Sequence, residues 1–360
     1  MTSVLGLDIG GANLKAADPD GQVQTVVFPM WQQHRELPDR LRELSWIDQP
    51  DLVGATMTGE LADCFDRKAD GVAWILDSVQ QAFPESEIRI WLTSGEFATP
   101  DDAVDLPQLA AASNWHALAT WIGRAVPDGP AILMDTGSTT TDIIPLIDGL
   151  PVPSGLSDME RLQSGELVYT GIRRTPLCAV MQSVTLNEHQ IPLAAELFAT
   201  TQDVHLLLES IAEDANDVQT ADGKPSTVRD AQRRIVRMLC CDQSELNDQD
   251  INDIARQFAR TQRNQLASAL TRVRTNLAQH LRQAKRQDVE IAPRMILSGS
   301  GAFLAAEVAA ECGLSASINL AESVSSSISE AACAFALARL VSERCRDELL
   351  ETLPFQHVEM

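Results

Sequence analysis

The chain has 360 residues, 44% of them hydrophobic, and a formal net charge of −23. That length suits two domains of ordinary size, and the charge argues against nucleic acid as a general partner. No apolar run approaches the roughly 20 residues that span a bilayer, so no membrane partner is expected.

Residues 3–28 predict three short strands, with a turn at Asp18-Pro19-Asp20-Gly21. The β-type run begins at Val4, which leaves no room for a signal peptide and sets the expectation of a cytoplasmic protein. A helix is predicted over 34–45, a strand over 52–57, a helix over 68–83 and a strand over 88–93. Residues 94–107 contain Gly95, Pro100 and Pro107 and read as loop. A helix over 114–125 leads to Pro127-Asp128-Gly129-Pro130, the best domain boundary in the chain. The expected lobes are therefore 1–126 and 127–360. The second opens with a strand–loop–strand over 131–147. Helices dominate 193–287, interrupted by an exposed polar segment at 214–226. A strand over 294–298 and helices over 302–311 and 324–343 follow, with the last helix free to return to the first lobe.

One helical stretch breaks the acidic trend. Ile254 to Gln287 holds no acid but carries Arg256, Arg260, Arg263, Arg272, Arg274, Arg282, Lys285 and Arg286. Leu266, Leu270, Val273, Leu277 and Leu281 form its apolar stripe, and Asn247 with the acids after it suits the helix start. A solvated basic face is the plain reading. A rim attracting an anionic substrate, or a contact with an acidic neighbour in a homo-oligomer, are the sharper ones. Seven scattered cysteines without a CxxC pair fit reduced thiols, and six histidines show no HExxH-type spacing.

Two segments carry the chemistry. LGLDIGGANLKAA at 5–17 and AILMDTGSTTTDIIPLIDG at 131–149 each deliver an Asp, then a Gly, then small or hydroxyl residues, between two β-type runs. Such a hairpin exposes backbone N–H groups beside a carboxylate, which suits phosphate oxygens and a hydrated divalent cation. Glycines needed merely for tight turns would not require the paired aspartates. A third segment, RMILSGSGAFLAAEVAAECG at 294–313, reads as strand, Gly-Ser-Gly turn and helix. No Walker A motif, no GxGxxG after the first strand and no GxSxG elbow is present.

These three segments, in this order, resemble the actin, Hsp70 and sugar-kinase superfamily. The resemblance implies a two-lobed α/β fold, a duplicated ribonuclease H-like unit with a helical insertion in the second lobe. It also implies diphosphate-binding roles for Gly10, Gly11, Asn13, Gly137, Ser138, Thr139, Gly299 and Gly301, and a magnesium ion near Asp8, Asp135 and Asp142. Asp8 and Asp142 are taken as matching positions of the duplicated hairpins.

Two further segments, ATMTGELADCFDRKADGV at 55–72 and SDMERLQSGELVYTGIRRTP at 157–176, are similar to the hydantoinase A-like proteins of tetrahydromethanopterin-linked C1 transfer. That family resemblance covers nearly the whole chain. It implies synthesis of a methanofuran-type cofactor, in which an (aminomethyl)furanylmethyl diphosphate alkylates the phenol of tyramine, or of its γ-glutamyl amide, and releases diphosphate. Paired phosphate loops suit a diphosphate leaving group as well as ATP, because charge develops on the same oxygens. A phenol with a pKa near ~10 needs a base at neutral pH; Glu60, Asp63 and Glu166 are the candidates, with Lys15 to neutralise phosphate charge. Tyr169 suits an aromatic pocket or a core edge, Arg173 and Arg174 a diphosphate or glutamyl carboxylate or a surface pair, and Lys68 solvent. Asn13 departs from the hydroxyl residue of many sugar kinases. The alternatives are an ATP-dependent kinase or ATPase, a hydantoinase- or oxoprolinase-like hydrolase, and a non-catalytic ATP-binding partner of the C1 pathway.

Overall fold

The structure is a computed structural model that describes residues 3–288 and 291–346; the last part of the expected second lobe, 347–360, lies outside the described residues. Its strands are β1 (Val4–Ile9), β2 (Asn13–Ala17), β3 (Val23–Val27), β4 (Leu52–Met57), β5 (Glu87–Trp91), β6 (Phe97–Ala98), β7 (Pro130–Thr136), β8 (Thr141–Ile147), β9 (Leu150–Pro151), β10 (Leu167–Val168), β11 (Ser183–Leu186), β12 (His189–Pro192), β13 (Arg294–Ser298) and β14 (Ala316–Asn319). The main helices are α1 (Leu37–Leu44), α2 (Lys68–Ala82), α3 (Asn114–Ile122), α4 (Asp158–Ser164), α5 (Thr201–Leu207), α6 (Val228–Arg237), α7 (Asp248–Gln283), α8 (Ala302–Glu311) and α9 (Ala332–Arg346).

Two large sheets repeat one strand order. The first runs β3-β2-β1-β4-β5-β6 and the second β10-β8-β7-β13-β14, with β9 beside β8. In each, an antiparallel hairpin is followed by a parallel partner on its first strand, β1 with β4 and β7 with β13. This repetition is the duplicated, two-lobed α/β fold of the actin and sugar-kinase kind. Every residue of β1 and β4 is buried, which explains why both read as near-continuous apolar runs instead of alternating ones.

The two sheets share a core. Trp115, Leu118 and Trp121 of α3 and Phe335, Leu337 and Leu340 of α9 cluster with Leu133 and Ile144 of the second sheet. Helix α9 lies against β1 and β4 because both strands offer glycine there. A Cβ on Gly6 would stand 2.2 Å from the Ala334 carbonyl oxygen, and one on Gly54 would meet Val341. The alanine-rich face of α9 completes the close approach.

Residues 94–107 are not simply loop. Thr99 caps a helical turn that has Pro100 in its first positions, and Pro107 starts another. Proline at a helix start needs no N–H partner, so these two prolines begin turns instead of ending them. The expected helix over 324–343 is split into a Ser325-capped turn over 326–330 and α9. The β11–β12 hairpin, not anticipated, turns on Asn187 and Glu188 with φ of 49° and 67°. Helix α7 runs unbroken for 36 residues, and the Asn247 side chain accepts the Asp250 N–H at its start. Leu266, Leu270, Val273, Leu277 and Leu281 are all buried on one stripe. Several of its arginines are engaged within the chain: Arg263 with Glu307 and Glu311, Arg274 with the Cys312 carbonyl, and Arg286, just beyond its end, with Asp148 and Asp288. No helix of the described residues is long and apolar enough to cross a membrane.

Candidate active site

Both Asp-Gly hairpins fold the same way. Gly10 N–H donates to the Asn13 carbonyl at 3.0 Å, and Gly137 N–H donates to the Thr140 carbonyl at 2.9 Å. A Cβ on Gly10 would sit 2.8 Å from the Asn13 oxygen, so the first turn tolerates only glycine there. Gly10 and Gly137 thus spend their N–H groups inside the turns. Among the described residues, the N–H groups of Gly11, Ala12, Ser138 and Thr139 have no protein acceptor, and these four residues line one chamber of about 240 Å³. That is a pair of backbone nests facing a common space.

Each turn is held from behind by its own half of the chain. Met30 and Phe28 donate N–H bonds to the Gly11 and Ala12 carbonyls, and Thr58 and Gly59 donate to Ile9. In the second half, Ile172, Arg173 and Arg174 donate to the Gly137 and Ser138 carbonyls, and Gly301 donates to Thr136. With the carbonyls used on the rear, the amides are left for the cleft. Gly171 and Gly301 make the approach possible: a Cβ on either would stand 2.5 Å from the second hairpin. Sequence reasoning noted Gly301 but missed Gly171 and the bracing role of Gly59. The structural counterpart of Thr58-Gly59, after β4, is the glycine turn at 299–301 after β13.

The carboxylates follow the register. Asp8 pairs across the sheet with Lys15, and Asp135 pairs with Asp142. Asp8 therefore corresponds to Asp135, and Lys15 to Asp142, which corrects the expected match of Asp8 with Asp142. All four line the chamber, with Asn13, Asn114, Asp158, Arg161, Tyr169 and Arg174. Burial pushes the Asp8 carboxyl up, opposed by Lys15 and Asn114. Burial, then repulsion from Asp142, holds Asp135 up at about 6. Burial also raises Asp142, while Arg161 pulls it back.

Arg161 was not foreseen. It is 1% exposed, forms an ion pair with Asp142, lies 3.7 Å from Asp158 and stacks 4.1 Å over the Trp115 ring of α3. Helix α4, which carries it, starts on a Ser157–Glu160 capping box. The capping box is the sequence signal that would have located the helix; nothing local marks the arginine as buried.

The chamber lining holds four aspartates against one lysine and two arginines, so a diphosphate meets net negative charge unless a cation accompanies it. Asp8 Oδ1 and Asp135 Oδ1 are buried without a hydrogen-bond partner, and hard oxygen donors of this kind suit hydrated magnesium. Asp142 is already engaged by Arg161. Among the described residues no three His, Cys, Asp or Glu side chains form a metal-holding group, so the fit is to an ion that keeps much of its water or takes substrate oxygens, not to a protein cage.

The expected bases are not brought to the chamber surface. Glu60 is 1% exposed, with Lys68 Nζ 4.0 Å from its Oε1 and its Oε2 unpartnered. Burial pushes its carboxyl up to about 7 against the Lys68 charge and the Ala112 N–H. It sits behind Ala112, which does line the chamber. Lys68 is thus a part-buried partner of Glu60 and not a fully solvated lysine. Glu166 is fully buried, its Oε1 accepts the Ser154 N–H at 2.7 Å, and it lines neither chamber. Asp63 is exposed on the loop beyond Glu60. Tyr169 is 69% exposed at the chamber mouth. Arg173 is tied to Asp217, whereas Arg174 has no ion pair among the described residues.

A second chamber of about 330 Å³ adjoins the first and shares Asn13, Lys15, Asp135, Gly137, Ser138 and Cys333 with it. Gly299 and Ser300 line it; Gly301 stands behind, against Thr136 and Ile172.

Duplicated sheets with paired amide nests define a two-lobed, actin- and sugar-kinase-like protein with a cleft lined by unpaired backbone amides. The chain belongs to the hydantoinase/oxoprolinase family, whose model matches residues 51–344, and it is an enzyme. It is 33% identical over 344 residues to the (4-{4-[2-(γ-L-glutamylamino)ethyl]phenoxymethyl}furan-2-yl)methanamine synthase of Methanocaldococcus jannaschii, covering 95% of this chain and 98% of that one. The protein of the same name from Methanococcus vannielii is 40% identical over 126 residues, covering 35% of this chain and 56% of that one. An archaeal actin homologue solved with ADP aligns at a TM-score of 0.42 and 13% identity, over 96% of this chain and 100% of that one.

Proposed function

We propose that this enzyme is a transferase of methanofuran-type cofactor synthesis that condenses an (aminomethyl)furanylmethyl diphosphate with a phenolic amine, tyramine or γ-glutamyl tyramine. The phenol oxygen bonds to the furanyl methylene, the methylene–oxygen bond to diphosphate breaks, and the phenolic proton passes to a base. The observation that carries this reading is the pair of amide nests facing one chamber in a chain related along its length to a synthase named for the aryl ether product.

The N–H groups of Gly11, Ala12, Ser138 and Thr139 receive diphosphate oxygens, and Lys15 offsets their charge. These donors are fixed by bracing from behind, so they need no reorganisation as charge grows on the leaving group. Asp8 and Asp135 would hold magnesium, which when bound supplies neutralisation of diphosphate charge. Glu60 is the acid whose proton affinity best matches a phenol's needs at neutral pH; from behind Ala112 it accepts the proton through a relay, not by direct contact. Glu166 instead fixes the Ser154 segment.

Incubation with the furanylmethyl diphosphate, magnesium and either amine should release diphosphate and form the ether without ATP. The competing reading, an ATP-dependent kinase or ATPase, is favoured by the second chamber beyond the loops. Absence of ether with both amines, together with robust ATP hydrolysis, would establish that reading instead.

A further inference from the structure

The outer edge of β3 is built differently from the other edges of the two large sheets. Strands β6, β9 and β10 are two residues long, and β14 carries an extra residue, Ser317, against β13. Short strands and bulges are two of the ways in which proteins keep a sheet edge from pairing with another chain. Strand β3 uses neither. It runs for five residues, VQTVV, with no charge, no proline and no break in its register against β2. Phe28 N–H donates to the Ala12 carbonyl and Asp18 N–H to the Gln22 carbonyl, which fixes the alternation along the strand. Gln24 and Val26 bond to β2, while Val23, Thr25 and Val27 turn their N–H and C=O groups outward. No strand covers those groups among the described residues. Val27 is 55% exposed, and Trp31, just past the strand, 53%.

These outward groups are self-complementary. Antiparallel pairing of two β3 strands about a twofold at Thr25 sets Thr25 opposite its own copy and Val23 opposite Val27. Each pair then exchanges two N–H···O bonds. Threonine against threonine is a favourable cross-strand neighbour, and β-branched valines suit a sheet. Charge fits the same arrangement. Asp20, before the strand, and Arg35, beyond it, are exposed. Arg40 and Arg42 engage the acids near Arg35, namely Glu36, Asp39 and Glu43, and Arg35 itself has no ion pair among the described residues. The twofold brings the Asp20 end of each strand toward the Arg35 end of the other, in a chain whose net charge of −23 otherwise opposes self-association. We propose that the protein is a twofold dimer joined through β3, with its first sheet continuous across both copies. Thr25 lies opposite Lys15 in the ladder and lines the second chamber with it, and directly paired residues share one face of a sheet. Thr25 of the partner copy, its Cα about 5.5 Å from that of Thr25, therefore extends the wall of that chamber. The assignment stands apart from the transferase reading, because it rests on backbone pairing and not on a substrate.

Sedimentation of the whole protein at micromolar concentration should show a dimer and nothing larger, because one twofold uses up the open edge of both copies. Thr25→Pro deletes an N–H that β2 does not use and turns the proline ring toward the partner. The dimer should dissociate at least about tenfold more readily, with secondary structure unchanged. If that variant misfolds, cysteine pairing decides instead. Thr25→Cys sets two thiols at the twofold, at a Cα separation that a disulfide spans. Mild oxidation should then yield a covalent dimer that the wild type, treated alike, does not form. Val27→Cys sets its two thiols about 13 Å apart along the strands and should yield none. A monomeric wild type, an undiminished dimer in Thr25→Pro, or a failure of Thr25→Cys to cross-link overturns the proposal, as does cross-linking at Val27.

Discussion

The two hairpins β1–β2 and β7–β8 are built alike and dressed differently. Both close with a Gly N–H bond to the carbonyl three residues on, and both carry an Asp two residues before that Gly. Behind the first lie Phe28 and Met30, fully buried apolar residues; behind the second lie Ile172, Arg173 and Arg174. Opposite Asp8 stands Lys15, while opposite Asp135 stands Asp142. The shared part is backbone and leaves two unpaired amides facing the cleft in either half. The unshared part is side chain and divides the labour: the first half closes onto a core, and the second opens cations and a tyrosine to the cleft. Duplication repeats the turn; divergence at the bracing segments and at one register position makes its two copies chemically unlike.

The equivalence of the two halves breaks most visibly at the aspartates. Asp8→Asn and Asp135→Asn should each lower kcat by about a thousandfold with the fold intact, because each removes a carboxylate that would hold the magnesium neutralising the developing diphosphate. Diphosphate release measured at saturating magnesium checks this. A large loss in only one variant would mean that the clamp works from one side.

Burial of Glu60 sets the next effect. Its carboxyl titrates at about 7 in the folded protein against 4.5 when unperturbed. The folded state therefore holds the proton more tightly than the unfolded state. The associated stability is fully present below pH 4.5 and is lost as pH rises through 7, reaching on the order of 3 kcal/mol. Glu60→Gln should remove that loss, so the variant gains stability over the wild type at pH 8 and not at pH 4, by urea denaturation. Equal gains at both pH values would mean that the gain does not come from the cost of ionising a buried carboxyl. Turnover should fall in the same variant if Glu60 accepts the phenolic proton.

Much of this was legible in the residues. The strand pairs show because β1, β4 and β7 are almost wholly buried and run near-continuously apolar, and because Gly-rich turns punctuate them. Asp8, Lys15, Asp135 and Asp142 were found because hairpin tips are local. What failed was long-range. The equivalence of Gly59 with the 299–301 turn shows only in the pairing of β4 and β13, which no local run of residues announces. Glu166 shares a motif with the site but points its carboxylate to Ser154. Arg161 and Trp115 are 46 positions apart in the chain and meet only when the sheets pack, so no periodicity announces their contact.

The bracing segments give the third contrast. A Cβ on Gly171 would lie 2.5 Å from the Gly137 oxygen and 2.6 Å from Ser138 and Thr139 backbone atoms. On Gly59 it would first meet the Met30 methyl at 2.9 Å, the far end of a flexible side chain. Gly171→Ala should therefore cost about 3 kcal/mol and Gly59→Ala about 1 kcal/mol, within the usual range for overpacking. Unfolding midpoints decide it, and a reversed order would show that the second hairpin yields more easily than the first.

The smallest effect is the most specific to the register. Lys15 and Asp142 occupy one position of the duplicated hairpin with opposite charge, and both line the chamber. Lys15→Gln removes a cation that faces Asp8 and Asp135, so the diphosphate meets their charge less well screened. Its KM should rise about tenfold, equivalent to ~1.4 kcal/mol, and more at low salt because part of the attraction acts through solvent. Asp142→Asn removes an anion and frees Arg161 from its ion pair, so the same KM should stay level or fall a few-fold. Opposite responses at equivalent positions are what a clamp of unlike halves requires. A rise in both variants would show that Asp142 helps to hold the substrate, through the cation or through the orientation of Arg161, and that the two hairpins share the work more evenly than their charges suggest.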